Sequence, residues 1–516
     1  MSVDVRTQPA ESDSSETELA KRRSSERASP WTILGTWLAL PAVAVIATWV
    51  LLAVVHVNDR FQLTHVGGAR MALAQYAAHH VAIYPPLAEG GFFGGTRFMP
   101  VPIVLHAGLS RLTGEYLVSG KLLSYAAMAG LLVLVYAALR RVECPPSVAA
   151  AFAAVILLTQ AGFEVGTGIY ADAIPAALQL GAVLLVMSGR RWRFTTAGVL
   201  CALALFSKQS ALWAPAAITF WLLVRNRRAL FRFAVTFAGS IALLFGITDL
   251  VTQGRIQSVL ALTFSGELGN GVSRSLTALG WFPVGAIPWA LLAPFTIFAL
   301  GRSVTRRRVT LFQLCLVAAF AILLVILSDV GTSWNHSLDV VVLASLVVGE
   351  LWGSEDGKQG MASWVRGVGV VTVIAAMVVS YALIMAKPVT GAFRSLVRGT
   401  VPSEIAVPPL HRYIRAGDDV LSQDPSIPVL YGRRPIVEDP FMLLRVGRAH
   451  PGWLRPLIRS IRAQRFDEVI LMEDIDTAPR WYFTEWEVGS PVTRAIEESY
   501  SLEASADGYY IYVPRA

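Results

Sequence analysis

Long apolar runs alternate with short polar connections over the first three quarters of the chain. About 20 consecutive apolar residues suffice to cross a bilayer core. The runs therefore predict membrane spans near residues 32–56, 119–139, 148–166, 173–188, 195–210, 212–224, 230–250, 280–300, 309–328, 337–353 and 367–386. The first, "WTILGTWLALPAVAVIATWVLLAVV" (31–55), is too long and too closely followed by similar runs for a cleaved leader, and reads as a signal anchor. Within the connection 57–118, "GGARMALAQYAAHHVAIY" has the amphipathic pattern of an interfacial helix. "RFMPVPIVLHAGLSRL" is short and proline-rich, which suits a segment lying along or dipping into the membrane.

After residue 387 the pattern changes. "IPVLYGRRP", "FDEVILMED" and "GYYIYVP" read as strands, with a helix over 450–466 between them. The expected fold is an all-α polytopic membrane protein of about 11 transmembrane helices plus juxtamembrane helices, with a small C-terminal extracytoplasmic α/β domain. The expected divisions are a disordered cytoplasmic tail (1–30), a membrane domain (31–387) and the C-terminal domain (388–516).

Composition sharpens the picture. The chain of 516 residues is 54% hydrophobic and only 16% charged, which points to lipid as its solvent. Its formal charge of +8 does not indicate nucleic acid, because the basic residues cluster in short connections: Lys21 to Arg23, Arg140 and Arg141, 189–194, 225–228 and 305–308. Cytoplasmic loops retain Lys and Arg in this way. Eleven crossings from a cytoplasmic N-terminus keep every cluster inside and leave the C-terminal domain outside a plasma membrane. Cys144, Cys201 and Cys315 lie in or beside apolar runs, which argues against a disulfide framework, and no Cys/His spacing of metal type occurs.

The same sidedness gathers Asp59, Asp172, Asp249, Glu267 and the turn "SDVGTSWNHS" (328–337) at the outer face. With these stretches in hand, the chain resembles the GT-C fold glycosyltransferases that use polyprenyl-phosphate sugars, near the protein mannosyltransferase and aminoarabinose transferase superfamily. The likeness rests on "NDRF" after the first span, on "IYPPLAEGGFFGGTRFMPVPIVLHAGLSRLTG", on "GIYADAIPAALQLGAVLLV", on "CALALFSKQSALWAPAAITFWLLV" and on "GTSWNHSLDVVVLASLVVGELW". The resemblance implies a sugar donor on a polyprenyl-phosphate carrier and a glycan, lipid or protein acceptor. Many relatives carry two adjacent acids after the first span, whereas here Asn58 precedes a single Asp59. The use of a divalent cation (magnesium or manganese) is thus left open, and no other cofactor is implied.

The resemblance makes Asp59 the catalytic base; a helix-end carboxylate in water, or one paired with Arg60, is the plainer alternative. Asp172 would orient acceptor or metal, or simply cap a helix. Lys208, inside an apolar span, must find water, a partner or the carrier phosphate. Arg97 and Arg274 are further phosphate candidates, or solvated loop arginines. Tyr170, Asn335 and His336 are candidates for substrate contact, Asn335 and His336 equally for a helix start. Asp339 would be buried and would need a partner such as Lys208. "GGFFGG" (90–95) suits a mobile lid or an interfacial anchor, and "MEDID" (472–476) is set aside as a metal motif because nucleotide sugars are absent outside. A transporter or flippase of lipid-linked saccharides is the competing reading. It would need polar positions running to both faces, whereas these crowd at one rim.

Overall fold

The computed structural model describes residues 37–79, 83–84, 88–89, 92–93, 95–264, 275, 277, 279–280, 287–329, 332–353, 363–399, 405–479, 482 and 489–516. The expected tail 1–30, Glu267, Arg274 and three of the six residues of "GGFFGG" lie outside them.

Every predicted apolar run is occupied by helix. The helices are α1 (Ala39–Val55), α2 (His65–His79), α3 (Pro100–Thr113), α4 (Tyr116–Arg141), α5 (Pro146–Leu157), α6 (Gln160–Thr167), α7 (Ala173–Val186) and α8 (Arg193–Leu205). There follow α9 (Trp213–Arg225), α10 (Arg227–Val251), α11 (Arg255–Phe264), α12 (Ile287–Thr305), α13 (Leu311–Ile326), α14 (Leu338–Gly353), α15 (Ser363–Ser380) and α16 (Ala386–Arg398). Among the described residues five stretches are long and apolar enough to cross a membrane unaided: Tyr116–Arg141, Arg227–Val251, Ile287–Thr305, Trp334–Gly353 and Gly367–Arg398. The other apolar helices are shorter. Outward-facing Leu40, Phe231 and Leu250 are 61%, 70% and 81% exposed, so the bundle presents apolar side chains where only lipid can cover them. The chain is a multi-pass membrane protein.

Two features depart from the expected pattern. The run 148–166 is not one straight span but α5 and α6, bent by 78° at Leu158–Thr159. Thr159 restarts the helix by accepting a hydrogen bond from Gly162 N–H, a cap available to any Thr ahead of a free first turn. The second departure is at the expected boundary at residue 387. There the helix runs on through a π turn (Tyr381–Met385) into α16.

Helix ends sort by charge. Arg140 and Arg141 close α4, Arg225 and Arg227 flank the junction of α9 with α10, and Arg306 to Arg308 join α12 to α13. Short connections make successive helices antiparallel neighbours. Asp172, Lys208, Asp329 and Asn335 accordingly meet at the opposite end. α14 runs through the middle, buried along most of its length.

The C-terminal segment forms a four-stranded sheet, with β1 (Val420–Ser422), β2 (Glu468–Leu471), β3 (Tyr500–Ala506) and β4 (Tyr509–Pro514) in the order β1-β2-β4-β3. β1 and β2 are parallel, and the other two pairings are antiparallel. Helices 440–449, 455–462 and 490–499 pack on it through Leu443, Leu457, Ile461, Val492 and Ile496. The stretch read as a strand, "IPVLYGRRP", instead starts as a short helix (Ser426–Leu430). Pro428 has no N–H for a ladder, and Asp424 Oδ1 takes the Ser426 N–H at 2.9 Å.

This unit grips the membrane part closely. A Cβ at Gly68 on α2 would lie 3.0 Å from Ser426 N and 3.1 Å from Asp424 Oδ1, so a larger residue would need these neighbours to give by a few tenths of an ångström. The Arg60 guanidinium donates to Asp424 Oδ2 at 2.7 Å and to the Tyr509 hydroxyl. Phe93 N–H donates to the Ile436 carbonyl at 2.9 Å, tying the 88–93 hairpin to the same unit.

Two predictions test this packing. A Cβ on Gly353 would fall 1.8 Å from the Val142 carbonyl oxygen, a backbone atom that cannot step aside. Gly353→Ala should therefore lower the thermal midpoint, costing about 1–3 kcal/mol or more. Gly130→Ala, with open space around it, should not. In the sheet, burial, together with Asp418 and Asp467, pushes Glu468 up to about 8. A raised carboxylate favours the protonated fold, so its penalty grows as pH rises from the unfolded value of about 4.3 to the folded one. Glu468→Gln should raise the thermal midpoint at pH 9 and leave it unchanged near pH 4.

Candidate functional site

Where the polar helix ends meet, they enclose a cavity of about 1100 Å³. Its lining combines apolar side chains, among them Ile103, Leu123, Ile322, Val325 and Ile326, with charged ones. Asp172 is the centre of a charged cluster. It directly precedes α7 yet makes no capping hydrogen bond, so the helix-cap alternative does not hold. Its Oδ1 accepts from Lys208 Nζ and, at 3.0 Å, from Asn335 Nδ2; Arg70 faces Oδ2 at 3.7 Å. Four segments thus converge on one carboxylate. Burial opposes its charge, but Lys208 and Arg70 hold it well below the usual carboxylate range. Lys208 pairs with Asp172, not with Asp339, which is absent from the cavity wall.

The other expected residues fall around this pair. Tyr170 lines the cavity, its hydroxyl 3.3 Å from Thr64 Oγ1 and its backbone carbonyl accepting from Ser124 at 2.9 Å. His336 and Asn335 line it from the turn Trp334–Ser337. Arg97 reaches it with a guanidinium that donates to Asp329 Oδ2 at 3.0 Å and lies 5.3 Å from the Phe441 ring centroid. Arg274 lies outside the described residues.

Asp59 is a correction. It was expected to share one pocket with Asp172, but it does not line the cavity. Its Oδ2 is 2.6 Å from His56 Nδ1, and its Oδ1 accepts the Phe61 N–H at 2.9 Å and faces Lys121 Nζ at 3.5 Å. Lys121, wholly buried, also donates to the backbone carbonyls of His56 and Asp59. Burial pushes the Asp59 carboxyl up, but the His56 hydrogen bond and Lys121 outweigh it and leave the group below its ordinary value. The physical reason for the displacement is Lys121. A buried ammonium needs a carboxylate, and the loop supplies one.

Sequence reasoning passed over four residues that line the cavity: Arg70, Glu164, Asp439 and Phe441. Arg70 was visible as a single cation among small apolar residues in "GGARMALAQY", and Glu164 as an acid inside an apolar run. Asp439 and Phe441 come from the C-terminal unit, and their arrival at this site is a tertiary fact with no local signal. Arg445 faces Asp329 Oδ1 at 2.8 Å, so Asp329 joins Arg97 to that unit. The "MEDID" stretch holds a turn. Asp474 accepts from the Tyr512 hydroxyl at 2.7 Å and from Thr477 at 3.1 Å. Among the described residues no three His, Cys, Asp or Glu side chains come together as a metal set, and the acid at the cavity centre already holds two cations.

No family model matches the chain, and no curated protein matches it either. Solved structures do. ArnT from Cupriavidus metallidurans bound to undecaprenyl phosphate superposes with a TM-score of 0.61 at 12% identity, over 93% of this chain and 98% of that one. Its apo form gives 0.59 at 13% identity, over 92% and 97%. The Archaeoglobus fulgidus oligosaccharyltransferase in the apo form gives 0.50 at 12% identity, over 91% of this chain and 74% of that one. The resemblance drawn from five sequence stretches extends to the whole architecture, and the chain has the GT-C fold.

Proposed function

We propose that the chain is a membrane glycosyltransferase that moves a sugar from a polyprenyl-phosphate carrier to a glycan, lipid or protein acceptor, with inversion at the anomeric carbon. The observation that carries this reading is the cavity, whose lining joins apolar residues to a cation cluster on a GT-C fold. Arg70 and Lys208 both face the carboxylate of Asp172, so two fixed cations stand together in the cavity. A lipid phosphate has the charge to pair with them, and its growing negative charge as the sugar leaves is what fixed cations stabilise. The isoprenoid chain suits the wall of Ile103, Leu123, Ile322, Val325 and Ile326. That a structural neighbour was crystallised with undecaprenyl phosphate supports the same ligand class.

The residues divide the work as follows. Arg70 and Lys208 hold the phosphate, Asp172 holds both cations in place, and Asn335 fixes Asp172. Arg97, tied to Asp329, and His336 reach the same space from the other side. The base role that the resemblance gives Asp59 is not carried into this reading. Its carboxylate is engaged by His56, Phe61 and Lys121, and a carboxylate held below its ordinary range is a weak proton acceptor. Asp59 instead positions the loop that follows α1.

The basic helix ends belong on the cytoplasmic side by the distribution of Lys and Arg. That puts the cavity and the C-terminal unit on the extracytoplasmic side of the cell membrane. A flippase would need polar residues leading from the cavity to the basic end, and α14, which runs that way, is buried and apolar along most of its length.

Three outcomes check the reading. Purified protein should bind undecaprenyl phosphate, and Arg70→Ala should weaken that binding about 10- to 100-fold, as expected for one charged hydrogen-bonding group; unchanged affinity would remove Arg70 from the phosphate site. Cells lacking the chain should accumulate a carrier-linked sugar and make an envelope glycan, lipid or protein without that sugar. A tag after Ala516 should be labelled from outside intact cells, whereas one before Met1 should not; the reverse pattern overturns the sidedness.

A further inference from the structure

We infer that Glu164 is the general base of this site, the group that takes the proton from the acceptor hydroxyl. The inference rests on the transferase reading above and deepens it.

An inverting displacement needs one free carboxylate oxygen beside the reacting carbon. Four carboxylates line the cavity. Asp172 is committed to Lys208, Arg70 and Asn335. Asp329 lies between Arg97 and Arg445. Asp439 begins the helix 440–449 and accepts its Met442 N–H at 3.1 Å. Glu164 is different. One oxygen, Oε1, accepts from the neutral amide of Gln160 at 2.7 Å, and the other, Oε2, is buried with no hydrogen-bond partner. A desolvated carboxylate oxygen facing neither a cation nor an N–H is costly to keep, and it is the arrangement that proton abstraction requires. His336 Nδ1 is likewise buried without a hydrogen-bond partner, but the ring lies among Lys208, Arg97 and Arg70 as well as Asp172.

The backbone explains how an acid inside an apolar run reaches this position. Continued straight, the α5 helix would carry residue 164 on along the bundle. The 78° bend at Thr159 turns α6 instead, so that Glu164 joins Thr64 and Tyr170 on the cavity wall. Phe163 on α6 packs edge-on to Phe61, with ring centroids 6.2 Å apart, which ties the bend to the loop that Asp59 positions.

In the step itself, the acceptor oxygen forms a bond to the anomeric carbon as the bond from that carbon to the carrier phosphate oxygen breaks. The hydroxyl proton passes to the Glu164 carboxylate. The bonding pair leaves with the polyprenyl phosphate, whose charge is met by Arg70 and Lys208.

The test uses the full-length chain in detergent, with lipid extract from cells lacking it as the donor source and undecaprenyl phosphate as the binding probe. Glu164→Gln should bind undecaprenyl phosphate with affinity within about threefold of wild type while turnover falls about 10²- to 10⁴-fold, the range for loss of a general base. Turnover within about threefold of wild type would overturn the assignment. Should Glu164→Gln fail to bind the probe, Glu164→Asp keeps the charge but draws it back by one methylene. It is expected to keep probe binding and lose about tenfold or more in turnover, and full turnover there overturns the assignment equally. If the wild-type chain itself transfers nothing from that extract, it is the transferase reading that fails.

Discussion

The site depends on one buried carboxylate and the cations it holds. Asp172 lies at the start of α7, Lys208 just past the end of α8, Arg70 on α2 and Asn335 in the turn before α14. None of these charges could be kept in an apolar bundle alone, because a buried ion without a counter-ion costs several kcal/mol. The cluster fixes four segments relative to one another and sets two cations beside one carboxylate. In the proposed function those cations meet a phosphate, and the apolar residues of the same lining meet its hydrocarbon chain.

A second buried pair does a different job. Lys121 on α4 takes both the side chain and the backbone of the loop after α1, and His56 completes the enclosure of Asp59. The next residue, Arg60, is held from the other direction by Asp424 and Tyr509 of the C-terminal unit. The loop is thus clamped between the bundle and the sheet. An acid in that setting orders its surroundings, which leaves proton transfer to a carboxylate with an oxygen to spare.

Much of the bundle was legible in the sequence because lipid imposes a simple rule: where apolar residues run on for a helix length, a helix forms. Over the described residues all eleven runs are helical, and the basic clusters among them gather at one set of helix ends, as their placement in short connections required. The bend at Thr159 was not legible. Apolarity continues across it and no Pro marks it; the local cues were Thr159 and Gly162, where a Cβ would lie 1.9 Å from the Ile156 carbonyl oxygen. With the bend missed, Glu164 was left inside a span. Asp59 was misplaced for another reason. Its partner Lys121 is 62 positions away, on a helix whose rotation no periodicity in so uniformly apolar a run could define. Lys208, Asp172, Tyr170, Asn335, His336 and Arg97 were found because polar groups at the ends of apolar runs must meet something. What they meet could be read only from the folded chain.

The cavity takes part of its wall from Asp439 and Phe441, and Arg445 ties that wall to Asp329. These residues follow every described helix of the bundle in the chain. The wall that they add is therefore made after the helices that carry Asp172 and Lys208, so the chamber is a composite whose closing part comes late in the polypeptide.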